Sequence, residues 1–414
     1  MLSQQTIDIV KATAPAVIAH AVPITRCFYS LMFAGNPEVK AYFNQAHQHS
    51  GGQQQALAGA ICAYAANIDN LAVLGSAVEL IAQKHCSLGI RPEHYPIVGK
   101  HLLCAVKDIL GDAVTEQVAA AWGEAYQFLA NIFIQREAEI YQEQAAHPGG
   151  WNGYRRFTVM RKVPESENIM SFYLRPSDGS TPPLFKPGQY ITVQIDHPVT
   201  PTSPRNYSLS DRPGLKHYRI SVKREESQTL LAPDGLISNY LHEHVKEGEE
   251  LLIGPPCGEF TLDPAKADDK PIVLLSGGIG ITPVLSMLKS LVHQGLQAPV
   301  YFIHGARNSR VHALSKEVRQ LAAECSHLRT HFRYDAPLPE DLHQKSCDSA
   351  GVIDTKLLSE LIPSNDAHFF FCGPKPFMVG VYQGLKDWGV DDARMHFEFF
   401  GPKQDLVDQG PGAA

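Results

Sequence analysis

Chemistry is most legible in this chain at a short glycine-rich run. In "LLSGGIGITPV" an apolar stretch ends at Ser276, and Gly277, Gly278 and Gly280, interleaved with Ile279 and Ile281, permit the tight turn and close backbone approach that a phosphate needs. Thr282 can cap and Pro283 can open the helix that follows, whose N-terminus attracts anions. Alone, such a loop is as often an ordinary turn between strand and helix. The strand before it and the helix after it favour a dinucleotide. Upstream stand "PGQYITV" (187–193) and "RNYSLS" (205–210). Arg205 can pair with a flavin phosphate, and Tyr190 and Tyr207 can flank an isoalloxazine and hydrogen-bond to it. Taken singly, each is more commonly a solvated arginine or a core tyrosine. "FCGP" (371–374) and "EFFGP" (398–402) end two late strands, where open α/β sheets bind ligands.

A second set of reactive residues lies near the start. "LIAQKHCSLGIRPEHY" holds His85, one of 19 histidines, and a histidine drawn blindly from such a set is more often exposed than a ligand. Gln53 and Leu57 are one helical turn apart and can face one pocket. Tyr29 sits in an aromatic stripe with Phe28 and Phe33 and reads equally as core. Glu137, in a charge run with Arg136 and Glu139, reads by itself as a solvated helix residue, and Lys84 as an exposed lysine.

Three segments of different periodicity must position these residues. The first 145 residues read as six or seven helices, with Leu57, Ile61, Tyr64, Ile68 and Leu71 on one apolar stripe and Val118, Ala121, Trp122, Ala125, Leu129, Ile132 and Phe133 on another. His147–Trp151 reads as a linker. From Phe157 the period falls to two, in "FTVMRKV", "IMSFYLR", "YITVQID" and "HYRISVK", which predicts an antiparallel barrel or sandwich. After Ala265–Asp269, apolar strands alternate with helical stretches, the rhythm of a parallel sheet covered on both faces. The expected units are an all-α domain at 1–145, an antiparallel barrel at 152–264, an α/β domain at 270–402 and a tail at 403–414.

Composition narrows the class further. Of the 414 residues 44% are hydrophobic and 19% charged, which describes a globular chain with ample core. A formal net charge of −7 argues against nucleic acid or an anionic membrane surface as partner. No apolar run is long enough to span a bilayer, and the first residues lack the pattern of a signal peptide. Eight scattered cysteines without C-x-x-C spacing suit reduced thiols in a cytoplasm.

Residues 152–402 resemble the ferredoxin–NADP⁺ reductase family, a FAD barrel followed by an NAD(P) domain. The helical segment resembles a globin, and the order globin–FAD–NAD(P) resembles the flavohaemoglobins across essentially the whole chain. The resemblance implies that Tyr190, Arg205, Asn206, Tyr207 and Ser208 hold FAD, with Gly235–Ser238 near its pyrophosphate. It implies that Gly277–Thr282 and the Cys372 loop meet NAD(P)H, and that Phe399 and Phe400, within Glu398–Pro402 (Glu398, Phe399, Phe400, Gly401, Pro402), cover the flavin. Two departures stand out: "EESQTLLAPDG" (225–235) is longer than the usual connection, and Phe399 replaces a cysteine common in relatives. In the globin segment the resemblance makes His85 the ligand of haem b iron and places Phe43 and Leu57 against the haem. Tyr95 and Glu137 fall beside the ligand, Tyr29 and Gln53 on the oxygen side, and Lys84 near the flavin–haem boundary. The implied activity is nitric oxide dioxygenation, NO and O₂ to nitrate at the expense of NAD(P)H, with detoxification of NO under nitrosative stress as its use. A dihydropteridine or flavin-type reductase side activity, a monomeric state and room for a lipid in the distal pocket are further implications. Three alternatives stay open: an oxygen carrier or gas sensor with a repair reductase, a flavin reductase with a haem-free helical module, and a flavin-driven peroxide reductase. Preference for NADH or NADPH rests on the region of Arg307 and Arg310.

Overall fold

The computed structural model describes residues 2–43, 51–195, 204–226, 235–263, 270–295 and 298–400. Among these, six α-helices come first: α1 (Gln4–Ala19), α2 (Ala21–Gly35), α3 (Gly52–Ala66), α4 (Gly75–Leu88), α5 (His94–Leu110) and α6 (Glu116–Ala146). Hydroxyl caps start the first and last, Ser3 Oγ accepting from the Thr6 amide at 3.1 Å and Thr115 Oγ1 from Val118 at 3.3 Å. Helix α4 stops at Gly89, whose φ of +76° lets the Ile90 N–H reach back to the His85 carbonyl at 3.0 Å. His85 is thereby held in the last turn of α4. The two apolar stripes meet: Tyr64, Ile68, Ala121, Trp122 and Ala125 are buried in one core with Ile24, Phe28 and Met32. A smaller core of Ala82, Cys86, Tyr95, Phe133 and Ile140 lies between α4, α5 and α6.

The junction at His147–Trp151 is short and pinned. The Gly150 amide donates to the His147 carbonyl at 2.7 Å, and the Trp151 indole N–H to the Ile253 carbonyl at 3.2 Å. There follow β1 (Arg155–Pro164), β2 (Ile169–Pro176), β3 (Tyr190–Gln194), β4 (Arg205–Ser208), β5 (Tyr218–Lys223), helix α7 (Leu236–Glu243) and β6 (Glu250–Ile253). Their order in the sheet is β4-β3-β6-β1-β2-β5, every pair antiparallel. Just past β4, Leu209 bridges Ile220 and the Ser210 amide donates to the Arg219 carbonyl at 2.8 Å, so the two edge strands meet and the sheet closes.

The last six strands, β7 (Ile272–Gly277), β8 (Val300–Ala306), β9 (Leu328–Tyr334), β10 (Ser349–Ala350), β11 (His368–Cys372) and β12 (Met395–Glu398), run parallel in the order β10-β9-β8-β7-β11-β12. Helices α8 (Ile281–Gln294), α9 (Ser315–Glu324), α10 (Pro339–Gln344), α11 (Thr355–Leu361) and α12 (Lys375–Asp387) connect them. Strand β7 shows why both faces must be covered. Ile272 and Leu274 pack with Val284 and Leu288 of α8, while Val273 and Leu275 pack with Leu357 and Met378 on the other side. The strand order reverses at β7 and β11, and Gly277 and Cys372 end those neighbouring strands, which puts a crevice there. Phe260 and Leu262 of the barrel segment enter the α8-side core, so the two sheets share packing.

The architecture is therefore all-α, then an antiparallel barrel, then a parallel α/β sheet, as the changes of period imply. No single helix among the described residues is long and apolar enough to cross a membrane.

Candidate active site

In the helical segment one carboxylate organises the site. Glu137 on α6 is 2% exposed, and its Oε1 accepts from His85 Nδ1 at 2.7 Å and from the Tyr95 hydroxyl at 2.5 Å. Its reading as a solvated member of a charge run is overturned. Arg136, one residue earlier, points the other way into Glu79, Glu139 and Glu143, because successive helical residues are turned about 100° apart. The second oxygen, Oε2, is buried without a protein partner. Burial, with the Glu137 carboxylate adding to it, pushes the Tyr95 phenol far above its ordinary range, so Tyr95 acts as a proton-bearing donor.

With Nδ1 engaged, His85 has only Nε2 left to offer, and its side chain is 32% exposed inside a bundle. Phe43, Leu57, Ile61, Val98 and Leu102 all pack on the core without being closed off by it. A large flat apolar group would fit this arrangement, held through Nε2 of an imidazole that a buried carboxylate orients, with apolar side chains on the neighbouring helices. Tyr29 is buried against Phe28, Phe33 and Phe43, with ring centroids at 4.8, 5.7 and 5.6 Å. Gln53 stands in the first turn of α3, a turn before Leu57.

Helix α4 also reaches the barrel. Ser87 Oγ accepts from Asn206 Nδ2 at 3.3 Å, Asn206 Oδ1 accepts from Thr192 at 2.9 Å, and Gln83 Oε1 accepts from the Gly258 amide at 3.2 Å. Neither Ser87 nor Gln83 carried any sequence signal beyond nearness to His85. Across β3 and β4, Tyr190 pairs with Ser208, Ile191 with Tyr207 and Val193 with Arg205. Tyr190 is buried, and Gly258 gives its ring room: a Cβ there would stand 2.9 Å from the ring, at a φ of +111°. Ser208 Oγ is buried with no protein partner, an orphan that a bound group would satisfy. Surrounding protein depresses the Arg205 guanidinium pKa, the mark of an enclosed cation suited to an anion. These residues fit a flavin dinucleotide. Gly235 and Ser238 brace each other through Glu225, whose carbonyl accepts from the Gly235 amide at 2.8 Å and whose amide donates to Ser238 Oγ at 3.2 Å. Most of the long connection, 227–234, lies outside the described residues.

At the crevice, Gly278 has a φ of +53° with open space where a Cβ would be, and a Cβ on Gly280 would lie 2.1 Å from the Cys372 carbonyl. The loop can turn and seat against β11 only with glycine in both places. The expected Thr282 cap is not formed. Helix α8 starts at Ile281, Thr282 is already inside its first turn and donates to the Ile279 carbonyl at 3.0 Å, and Pro283 follows rather than opens it. No side chain caps this helix, so its N-terminus faces the crevice uncapped, as a pyrophosphate requires. Cys372 is fully buried, and burial, with Glu398 adding, pushes its thiol pKa far up.

The charge of Glu398 is felt in all three segments. Its carboxylate acts on Cys372 beside it in the sheet, on Tyr190 of the barrel and on Lys84 of α4. Lys84 is open to solvent yet walled by protein. That crowding lowers its ammonium pKa, and Glu398 opposes the shift. Phe399 packs beside Tyr382, Trp388 and Phe397 on the sheet, while Phe400 is 46% exposed. Gly401 and Pro402 lie outside the described residues. Arg310 is engaged at the surface by Glu340 and Glu167.

Known proteins bear on this geometry directly. Residues 26–133 match the globin family and residues 274–383 the oxidoreductase NAD-binding domain family. A flavohemoprotein of Rhodopirellula baltica is 60% identical over 407 residues, covering 98% of this chain and all of the relative. The chain belongs to the flavohemoproteins. As a flavohemoprotein it is an NAD(P)H-dependent oxidoreductase. The crystal structure of a flavohemoglobin from Malassezia yamatoensis, with bound FAD and haem, superposes with a TM-score of 0.82 at 26% identity, over 97% of this chain and 100% of that one. The flavohaemoglobin-like FAD/NAD-binding domain of a nitric oxide dioxygenase from Vibrio cholerae is 33% identical with a TM-score of 0.54. It covers 61% of this flavohemoprotein and all of its own chain.

Proposed function

We propose that the chain is a nitric oxide dioxygenase, converting NO and O₂ to nitrate with electrons from NAD(P)H, and so detoxifies NO. The observation that carries this is helix α4. It presents His85 on a buried carboxylate and, two residues on, Ser87 bonded to Asn206 of the flavin strand. Bound NAD(P)H, FAD and haem supply a hydride, its division into single electrons, and the iron at which the two gases combine.

The chain's own residues do the rest. Arg205, Tyr190, Tyr207 and Ser208 hold the flavin, and the Gly277–Thr282 loop holds the dinucleotide phosphates at the head of α8. His85 offers Nε2 while its Nδ1–H stays hydrogen-bonded to Glu137, which makes the ring a stronger electron-pair donor. Tyr95 donates a second hydrogen bond to the same oxygen and keeps the carboxylate in place. Tyr29 supplies a hydroxyl for charge developing on oxygen, with Gln53 assisting, and Phe43 and Leu57 keep water away. A carrier or sensor has no need of a carboxylate held this firmly on the ligand. All eight cysteines are free, which supports a reducing cytoplasmic setting.

The test is NAD(P)H-driven NO consumption, with and without O₂, by the parent and by His85→Ala. Consumption should require O₂ and vanish in the variant while nucleotide reduction of the flavin persists. NO loss undiminished in His85→Ala rejects the reading.

A further inference from the structure

Between the antiparallel barrel and the parallel α/β sheet lies a charge cluster. Asp211 stands three residues past Ser208, at the end of the flavin strand. Lys289 Nζ reaches its Oδ1 at 2.6 Å, and Ser286 Oγ donates to its carbonyl at 2.7 Å. Both partners lie on α8, and Thr282, Ser286 and Lys289, four and three residues apart, share one face of that helix. The cluster closes through Arg219 of β5, 1% exposed, whose guanidinium donates to the Ser210 carbonyl at 2.5 Å and to Ser210 Oγ at 3.0 Å and pairs with Glu317 of α9. Lys289 also meets Glu317, at 3.1 Å. Two cations thus hold two carboxylates across the seam, with His217 3.8 Å from Asp211.

Buried ion pairs are poor sources of stability, since desolvation cancels most of the attraction, but they fix one arrangement because any other strands a charge. Here the arrangement fixed is the distance between the strand that ends in Ser208 and the helix that begins at the nucleotide loop. We propose that Asp211, Lys289, Arg219 and Glu317 form an interdomain latch whose task is to position reduced nicotinamide against the flavin for hydride transfer, with Lys289 as its positioning residue. This rests on the reading that FAD and NAD(P)H bind where proposed above. Hydride transfer needs its two atoms within about 3–3.5 Å, so a shift of about 1 Å at the seam is costly.

The experiment is anaerobic rapid mixing of holoprotein with NADH or stereospecifically deuterated NADH, following flavin bleaching, for the parent, Lys289→Met, Lys289→Arg and Glu317→Gln. Lys289→Met should slow the limiting rate of flavin reduction about tenfold or more and enlarge its deuterium isotope effect. Nucleotide affinity should stay within about twofold, FAD and haem content should match the parent, and reduction by dithionite should be unaffected. Lys289→Arg should recover much of the rate, and Glu317→Gln, at the more exposed end, should repeat the loss in milder form. A limiting rate and isotope effect in Lys289→Met equal to the parent's overturn the latch, as does a loss shared equally by dithionite reduction. A parent flavin that NADH does not reduce at all refutes the cofactor reading instead.

Discussion

At the residue scale the informative feature is that one oxygen of Glu137 takes two protons' worth of hydrogen bonding while the other takes none from protein. Replacing the carboxylate should therefore hurt more than removing either donor. Glu137→Gln should lower turnover roughly 10- to 100-fold and move the iron–imidazole stretch to lower frequency in resonance Raman spectra. Tyr95→Phe removes one hydrogen bond, worth about 1 kcal/mol, and should have a smaller effect on the same two readouts. That His85 and Tyr95 deserved attention was legible in the sequence through resemblance. The depth of Glu137 was not, because a carboxylate flanked by Arg136 and Glu139 looks solvated until the phase of the helix against its neighbours is known.

Elements set the next level. Gly280 seats the nucleotide loop on β11 with no space for a side chain, so Gly280→Ala must displace the loop from the Cys372 carbonyl. Overpacking of this kind costs about 1–3 kcal/mol, and the dissociation constant for NAD(P)H should rise by about tenfold in titrations of flavin-loaded protein. Strand β8 and the loop after it bring His304 and His312 together with ring centroids 4.6 Å apart, His312 bonded to the Tyr334 hydroxyl and His304 to Ser276. Burial, helped by the Arg319 charge, pushes His312 down to about 3, and burial with His312 nearby takes His304 well below its usual value. An unfolded imidazole titrates near about 6.5. Between those limits the unfolded chain binds more protons, so the stability is whole above about pH 6.5 and drains away as pH falls toward about 3. Denaturant unfolding from about pH 7 to 5 should show that slope, and His312→Gln should flatten it. Strands with clean alternation, such as "HYRISVK", or with a continuous apolar run, such as "IVLLS", were readable from side-chain pattern. Strand β6, four residues long, and β10, with two, were not, since both owe their place to neighbours that pair with them.

For the whole molecule, the sequence showed three units in order but not the surfaces between them. Ser87 against Asn206, Gln83 against Gly258 and the latch at Asp211 join residues far apart in the chain, and no local period encodes such meetings. Charge at the seam has a measurable signature. Burial opposes ionisation of Asp211 and Glu317 but is outweighed: the hydrogen bond with His217, then Arg219 and Lys289, holds Asp211 below the usual carboxylate range, and Arg219 and Lys289 do the same for Glu317. A depressed carboxylate stabilises the fold above its unfolded pKa, near about 4, and that contribution is lost as pH falls through the folded value. Separation of the two reductase units should therefore set in below about pH 4, later than the histidine-driven loss, and Asp211→Asn should weaken this second phase, leaving the part owed to Glu317, in acid titrations followed by small-angle scattering.

Helix α6, at 31 residues, does more than close the bundle. Seven positions beyond Glu137, on nearly the same side of the rod, Gln144 donates to the Cys257 sulfur at 3.0 Å and lies 3.4 Å from the Pro256 carbonyl. One inflexible spar therefore clamps the imidazole at one end and the flavin barrel at the other. Adding or deleting a single residue between 137 and 144 would swing those grips out of phase by about 100°, so this stretch tolerates no change of length without losing one grip or the other.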